Sequence, residues 1–599
     1  MTFLTVCSTG LPLLALSPFV GVVDYLKSHV IGTNLRGFSG PNTLHLGLLI
    51  PYFILLLLRT SYDLNRYVLF FRYYRYRRNR APAPAAYFPE EQLPVVTVQL
   101  PVFNEQFVID RLVDAVCNLN YPREKLEIQV LDDSTDETVE VTSHKVAYYA
   151  ALGYDIHYLH RPNRDGYKAG ALAAGAAVAR GKFIAMFDAD FIPASDWLRK
   201  VIHYFTDSQI GVVQTRWAHI NRNYSHFTKA QAILLDGHFI LEQGARFRSG
   251  LFFNFNGTAG IWRRAAIEDA GGWHCDTLTE DTDLSYRALL KGWRFIYLQD
   301  VECPAELPVE MTAFKTQQAR WAKGQTQVAM KLMPRILRSN VPLKVKFEAW
   351  YHLTAYITYP LTLLLSVPLL PVMLLWSYQD WVQIVLINLP LFVTSTFSVS
   401  SFYMLSQKEL FSRGWRRSLV DLPLVMAIGV ALTLTNSLAV LEALLRKQTA
   451  FARTPKYRVA SRNDKPQGNK YRNRSGVVPW IELAMGGYFF VTIIYALRSH
   501  NLLMVAFLAL FVVGYWYSGL MSLLQGRFEW LFRRGEPSPA KPFPAVGSYS
   551  ASLEAGKVTA PVIDRTLGIP NNSKMTPVAA HSELPFVSFL PLSQSKPRL

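Results

Sequence analysis

Between residues 95 and 187 short apolar runs alternate with stretches of helical composition, and apolar runs of membrane-spanning length bracket this block on both sides. The alternation places strands near 95–100, 127–131, 156–159 and 183–187, with helices near 107–118, 137–151 and an Ala-rich 168–179 between them. That rhythm predicts an α/β unit with a largely parallel sheet and helices on both faces. A ligand site then belongs at the carboxyl ends of the strands. Two acidic motifs fall there: Asp132-Asp133 after the second strand and Asp188-Ala189-Asp190 after the fourth.

The bracketing runs predict how this unit is mounted. Runs at 43–60, 352–376, 380–405, 478–497 and 501–522 approach the ~20 residues a helix needs to cross a bilayer, which gives about five crossings. Residues 4–23 are a weaker apolar segment, broken by Gly, Pro and Ser. The run 419–445 is set apart by the basic loop after it, Arg446 to Arg462. A single crossing would put that loop outside, against the positive-inside tendency, so a buried or interfacial helix with the loop on the cytoplasmic side is expected. The predicted division is membrane segment and basic anchor at 1–80, catalytic unit with interfacial helices at 90–340, membrane region at 341–525, and a Pro/Ser-rich disordered tail at 526–599.

Lys and Arg number 62 against 44 Asp and Glu, a formal charge of +18. The basic residues gather where apolar helices end, as in Arg72, Arg75, Arg77, Arg78 and Arg80. Such placement fits anchoring beside anionic lipid at a cytoplasmic face, and no nucleic-acid motif accompanies the charge. Four scattered cysteines without a Cys-x-x-Cys support neither a disulfide framework nor a zinc site. No basic segment precedes the first apolar stretch, so no signal peptide is expected.

Asp188-Ala189-Asp190 leaves an apolar strand as an Asp-x-Asp pair, which suits a hard cation such as Mg²⁺ or Mn²⁺ held against a diphosphate. Taken alone, such a pair could simply cap the next helix. Glu105 and Asp132-Asp133 follow the first two strands and offer hydrogen-bonding groups to a nucleoside. Arg161, Arg164 and Lys168 follow the third strand, where cations at a small-residue helix start suit a diphosphate. Thr279-Glu280-Asp281 opens a further predicted helix. An acceptor hydroxyl needs a base as its bond forms, and Asp281 is the candidate, with Glu280 as the fallback. Asn256, Gly257 and Thr258 lie in a Gly-containing loop suited to an acceptor sugar. Gln317-Gln318-Ala319-Arg320-Trp321 offers Gln317 and Trp321 to the acceptor and Arg320 to the diphosphate, although an ordinary interfacial helix would carry Arg and Trp as well.

The ordered set Asp132-Asp133, Asp188-Ala189-Asp190, Thr279-Glu280-Asp281 and Gln317-Gln-Ala-Arg-Trp321 resembles the processive family 2 glycosyltransferases, which include cellulose, chitin and hyaluronan synthases. Phe253 to Arg263 and Asp269-Ala-Gly-Gly-Trp273 are most similar to the plant cellulose-synthase-like A and C branches and their bacterial relatives. The resemblance implies a GT-A (Rossmann-like) catalytic domain facing the cytoplasm between transmembrane helices, and inverting transfer from UDP-glucose or GDP-mannose. It also implies a divalent metal on Asp188 and Asp190, Asp281 as base, and a β-1,4-linked polymer that leaves through the protein's own channel. Two features depart from the pattern: Ala319 stands where the plant branches usually have His, and the tail lacks any likeness to a cyclic-dinucleotide-binding domain. A single transfer to a lipid acceptor is the alternative with the same chemistry. A nucleotide-sensing membrane protein is the alternative without it. A bacterial inner membrane is the expected location.

Overall fold

The strands β1 (Val96–Val102) and β2 (Leu126–Asp132) are buried along their whole length, as strands covered on both faces must be. They belong to a computed structural model that describes residues 43–371, 396–449, 451–464, 476–498 and 502–525. The expected segments 4–23 and 526–599, and most of 380–405, lie outside the described residues.

Seven strands form one sheet in the order β3-β2-β1-β4-β6-β5-β7. β3 spans Ile156–His160, β4 Phe183–Met186, β5 Ile210–His219, β6 Gly260–Arg263 and β7 Arg294–Ala305. β1 to β4 are parallel, as the helical crossovers required. The sheet is largely parallel, as the sequence predicts, and its one exception is β6, which runs antiparallel to both β4 and β5. The register pairs Val102 with Asp132, and Asp132 with His160, so the strand ends line up along one edge.

The crossovers are α1 to α4 in part: α1 (Thr43–Arg75) precedes the sheet, and α2 (Ile109–Cys117), α3 (Thr138–Ala151) and α4 (Tyr167–Val178) connect β1 to β4. Each sheet face carries its own apolar core, one built around Val98, Leu100 and Ile128, the other around Leu172, Ile184 and Met186. α4 explains its Ala and Gly content. A Cβ on Gly175 would meet Gln99 at 2.6 Å and Gln129 at 2.9 Å, so only a small residue lets this helix approach the sheet. Gln99 and Gln129 are buried there and bond to each other at 3.1 Å.

Three further helices frame the strand ends: α5 (His226–Asp236), α6 (Glu280–Leu290) and α7 (Met311–Arg338). Between α5 and Gly244 the chain forms a π-helix, Gly237–Gln243, a form that occurs mostly at functional sites. The helices α8 (Leu343–Leu353), α9 (Thr358–Ser366), α10 (Ser398–Leu410), α11 (Leu422–Leu444), α12 (Val478–Arg498) and α13 (Leu502–Leu524) follow.

Among the described residues three helical stretches are long and apolar enough to cross a membrane: Trp415–Leu444, Val478–Arg498 and Met504–Leu524. Leu343–Leu353 and Ala355–Pro371 form a pair bent by 49° that passes the same test together. The described parts of the runs expected at 478–497 and 501–522 are therefore helical, and the run expected at 352–376 starts at this bend and is described as far as Pro371. The run 419–445 has spanning length, yet both its ends are held by helices of the catalytic unit. Lys229 of α5 pairs with Asp421 at 2.6 Å, and Lys323 of α7 with Glu442 at 2.9 Å. The basic loop after it folds onto the α/β unit, where Arg453 pairs with Glu105 and Lys456 with Asp190.

Candidate active site

Asp188 and Asp190 follow β4 directly. The backbone N–H of Asp188 donates to the Thr258 hydroxyl at 2.9 Å, and Asp190 accepts a backbone N–H from Glu306 through its carbonyl. Both carboxylates face cations: Lys168 donates to Asp188 at 2.5 Å, and Lys456 to Asp190 at 2.5 Å. Two oxygen-donor carboxylates at a strand exit, each neutralised by an ammonium, have the chemistry that suits a hard divalent cation.

These residues line a cleft of about 180 Å³ with Glu105, Asp133, Glu280, Asp281, Gln317, Arg320 and Trp321. A second cavity of about 440 Å³ runs from this place in among the membrane helices, reaching Thr362, Gly429 and Phe511. Asn256, Thr279, Asp281, Gln317 and Trp321 line both cavities. Glu280 lines the cleft only.

Asp281 and Glu280 open α6, and the first turn of that helix also carries Asp283. The helix N-terminus favours their ionised forms, and the Thr282 N–H donates to Asp281 at 2.7 Å. Burial outweighs this. It pushes Asp281 up to about 7, helped by the neighbouring Glu280 charge and opposed by Lys168. Glu280 is also raised by burial, against the pull of Lys168 and Arg320. Glu105 rises to about 7 because burial and the Asp190 and Asp188 charges outweigh Arg453. Lys168 is raised in spite of its burial, chiefly by Asp188.

Of the residues singled out from sequence, the structure gathers Glu105, Asp133, Lys168, Asp188, Asp190, Asn256, Gly257, Glu280, Asp281, Gln317, Arg320 and Trp321 around the cleft. Two do not face it. Asp132 is fully buried, with its carboxylate accepting the Tyr158 hydroxyl at 2.5 Å and the Ser134 N–H at 2.9 Å. In a strand, neighbouring side chains point to opposite faces, and Asp133 is the one directed to the cleft. Thr258 is fully buried behind Asp188 and supports that residue's backbone, so its expected contact with an acceptor is corrected to a positioning role. Arg161 also departs from expectation: it holds Asp133 through two hydrogen bonds, at 2.7 and 2.6 Å, and leaves the cleft to Arg164 and Lys168.

Sequence reasoning missed the loop after α11. Phe451, Arg453, Thr454 and Lys456 close one wall of the cleft. Arg320 and Arg164 stack on the Phe451 ring, with guanidinium carbons 4.3 and 5.6 Å from its centroid, and Arg453 bonds to Glu105 at 3.3 Å. Its basic residues were read only as a topological signal. The π-helix supplies a second missed group. Gln243 donates to the Asn256 amide oxygen at 2.7 Å, which directs the amide nitrogen to His238 Nε2 at 3.1 Å. The other ring nitrogen, Nδ1, then donates to Glu242 at 3.0 Å. Elsewhere among the described residues, His274, Asp276 and Asp283 bring three metal-ligating atoms within 4.8 Å of one another. Lys331 already fills that cluster, bonding to all three at 3.1, 2.7 and 2.9 Å.

The site thus combines acidic strand ends, a raised carboxylate at a helix start and a cavity that leads in among helices long and apolar enough to cross a membrane. Residues 97–270 match the family described as Glycosyl transferase family 2. Residues 97–270 thus carry a family 2 glycosyltransferase domain, and the chain is similar to plant glucomannan mannosyltransferases of the cellulose-synthase-like kind. It is 44% identical over 264 residues to the probable glucomannan 4-beta-mannosyltransferase 11 of Oryza sativa subsp. japonica, covering 43% of this chain and 46% of the relative. Over 259 residues it is 44% identical to glucomannan 4-beta-mannosyltransferase 2 of Arabidopsis thaliana, covering 42% and 48%. The chain thus spans about half the length of the curated relatives it matches. Among solved structures, the mannosyltransferase PcManGT of Pyrobaculum calidifontis, in complex with GDP-Man and Mn²⁺, aligns at 20% identity and a TM-score of 0.44. That alignment covers 66% of this chain and 100% of PcManGT. The relatives named are plant proteins, and the expected bacterial inner membrane gains no support from them.

Proposed function

We propose that this protein transfers hexose from UDP-glucose or GDP-mannose to a β-1,4-linked polysaccharide, with the catalytic unit cytoplasmic, and passes the product across the membrane. The observation that carries the reading is the position of Asp281, a raised carboxylate lining both the donor cleft and the cavity that enters the membrane helices. Its plant relatives, named as glucomannan 4-beta-mannosyltransferases, support the same chemistry.

In this reading Asp133, Glu105 and Arg164 receive the nucleoside, and Lys168 and Arg320 the diphosphate. Asp188 and Asp190 would hold Mg²⁺ or Mn²⁺, which supplies charge neutralisation on the departing diphosphate. Trp321, Gln317, Asn256 and Gly257 place the acceptor sugar at the mouth of the cavity, with the Trp321 ring as its stacking surface. Asp281 takes the proton of the attacking hydroxyl as the new bond forms on the face opposite the leaving group. Glu280 stays with the donor side and helps hold the neighbouring cations. Lys456 and Arg453, held by carboxylates in this structure, are placed to exchange them for donor phosphate.

The test supplies radiolabelled UDP-glucose and GDP-mannose to membranes containing the protein, with Mg²⁺ or Mn²⁺, and separates alcohol-insoluble polymer from extractable lipid. Label in polymer that is lost in Asp281→Asn is the expected result and identifies the donor. Label only in lipid would replace the polymer reading with single transfer. Absence of transfer from either donor would overturn both donor assignments.

A further inference from the structure

α1 ends in an unbalanced basic surface. Where the chain leaves the helix, a wide-mouthed depression of about 510 Å³ is lined by four arginines, Arg77, Arg78, Arg80 and Arg248, and a single carboxylate, Glu409. Glu409, whose two oxygens accept the Tyr73 and Tyr74 hydroxyls at 3.2 and 2.9 Å, offsets only one of the four charges. Arg248 is built into the wall. It is buried, lies 4.0 Å over the Tyr73 ring and donates to Gln299 at 3.0 Å. Arg80 has Asp300 only at 3.9 Å, with both side chains exposed. Arg77 and Arg78 are exposed and, among the described residues, have no ion-pair partner. Four guanidinium groups against one lining carboxylate leave the depression with an excess of positive charge, which favours an anionic ligand.

Earlier along the same helix, around from its packed Tyr73 side, α1 carries an exposed apolar stripe. Leu57, Leu64, Val68 and Phe71 are 69%, 52%, 41% and 64% exposed, and their spacing of seven, four and three residues keeps them on one face. Arg75 continues that face at the end of the helix, and Arg78 stands in the turn beyond it. A ligand fitting both features is anionic at one end and apolar along its length, which excludes a free phosphate and a soluble peptide.

We propose that the depression binds the phosphate-bearing headgroup of an anionic phospholipid, whose acyl chains lie along the Leu57 to Phe71 stripe. Arg77 and Arg78 are the exchangeable contacts, and Arg248 with Tyr73 forms the fixed wall. Asn79 donates to the Arg248 carbonyl at 3.2 Å, so the same contact ties the basic end of α1 to the segment that carries His238 and Glu242 into the membrane cavity. A lipid seated here therefore braces the catalytic unit against the bilayer. This inference is independent of the donor, the product and the reaction.

The experiment is native mass spectrometry of the purified full-length protein in detergent, titrated with phosphatidylglycerol or phosphatidylcholine. Expected is preferential retention of phosphatidylglycerol. Each basic side chain at such a surface contributes roughly five-fold in affinity. R77A/R78A should then weaken phosphatidylglycerol about 25-fold while leaving a monodisperse protein, and R77K/R78K should stay within about three-fold of the parent. Equal retention of the two lipids by the parent would overturn the proposal, as would unchanged phosphatidylglycerol binding in R77A/R78A. Displacement of phosphatidylglycerol by millimolar glycerol phosphate would assign the depression to a free anion instead.

Discussion

A carboxylate becomes a base at neutral pH when burial lifts its pKa toward that range, and Asp281 meets this condition beside the shared cavity mouth. Asp281→Asn keeps shape and loses the proton acceptor, so turnover should fall by roughly 10²- to 10⁴-fold while donor binding, read by nucleotide titration, persists. Lost donor binding would instead make Asp281 a binding residue. In the parent enzyme kcat/KM should fall as pH drops below about 7, because a raised acid is protonated there, and in Asp281→Asn the limb should shrink to what Glu105, also raised to about 7 in the same cleft, contributes. A flat profile through neutrality would remove Asp281 from the base role.

Neighbouring acids separate in the same way: Asp132→Asn leaves the Tyr158 hydroxyl and Ser134 N–H with a poorer acceptor and should cost about 1–3 kcal/mol of stability, read as a lower Tm. Asp133→Asn instead loosens Arg161 and should raise the donor KM. The acid pair after β4 and the acid at the start of α6 were legible from sequence because strand exits and helix starts have recognisable patterns. Which of two adjacent aspartates faces the cleft was not, since one residue of register reverses a strand side chain. Lys456 was illegible for another reason: its contact with Asp190 bridges 266 positions, a distance over which local pattern carries no information.

At the scale of elements, the site depends on how closely α7 approaches the start of α6. A Cβ added at Gly324 would lie 2.6 Å from Thr279 Cγ2 and 2.8 Å from the Thr279 backbone nitrogen, so backbone as well as side chain would have to shift. The absence of a side chain there lets α7 bring Gln317, Arg320 and Trp321 to the same cleft as Asp281. Gly324→Ala should separate the two helices by a fraction of an ångström to about 1 Å, and a misplacement of that order costs up to about 100-fold in rate. The measurement is kcat beside Tm: a large loss of kcat with a modest change in Tm is expected, whereas equal activity would show that the approach is not limiting. The helix itself was legible from its apolar and basic spacing. Its partner across Gly324 was not, because a close packing point between α6 and α7 leaves only one glycine as a trace. β6 was missed for a similar reason. Gly260-Ile-Trp-Arg263 is four residues long, and its antiparallel direction is set by its neighbours β4 and β5.

For the whole molecule, the joining of the two cavities decides between extension of a polymer and transfer to a lipid. A growing polysaccharide must occupy the cavity of about 440 Å³ that leads from Asp281 among the membrane helices, whereas a lipid acceptor can arrive from the side. Gly429 on α11 lines that cavity, and a Cβ built on it meets nothing within 4 Å. A large side chain there would enter the open space without first displacing its own surroundings. Gly429→Trp should therefore block polymer accumulation while the donor cleft, which Gly429 does not line, still binds nucleotide sugar. The comparison to make is alcohol-insoluble product against donor binding and short extractable product in the same membranes. Loss of polymer with retained donor binding and retained short product places the exit path through this cavity. Undiminished polymer would place it elsewhere, and undiminished lipid-linked product with no polymer in either protein would favour the single-transfer chemistry.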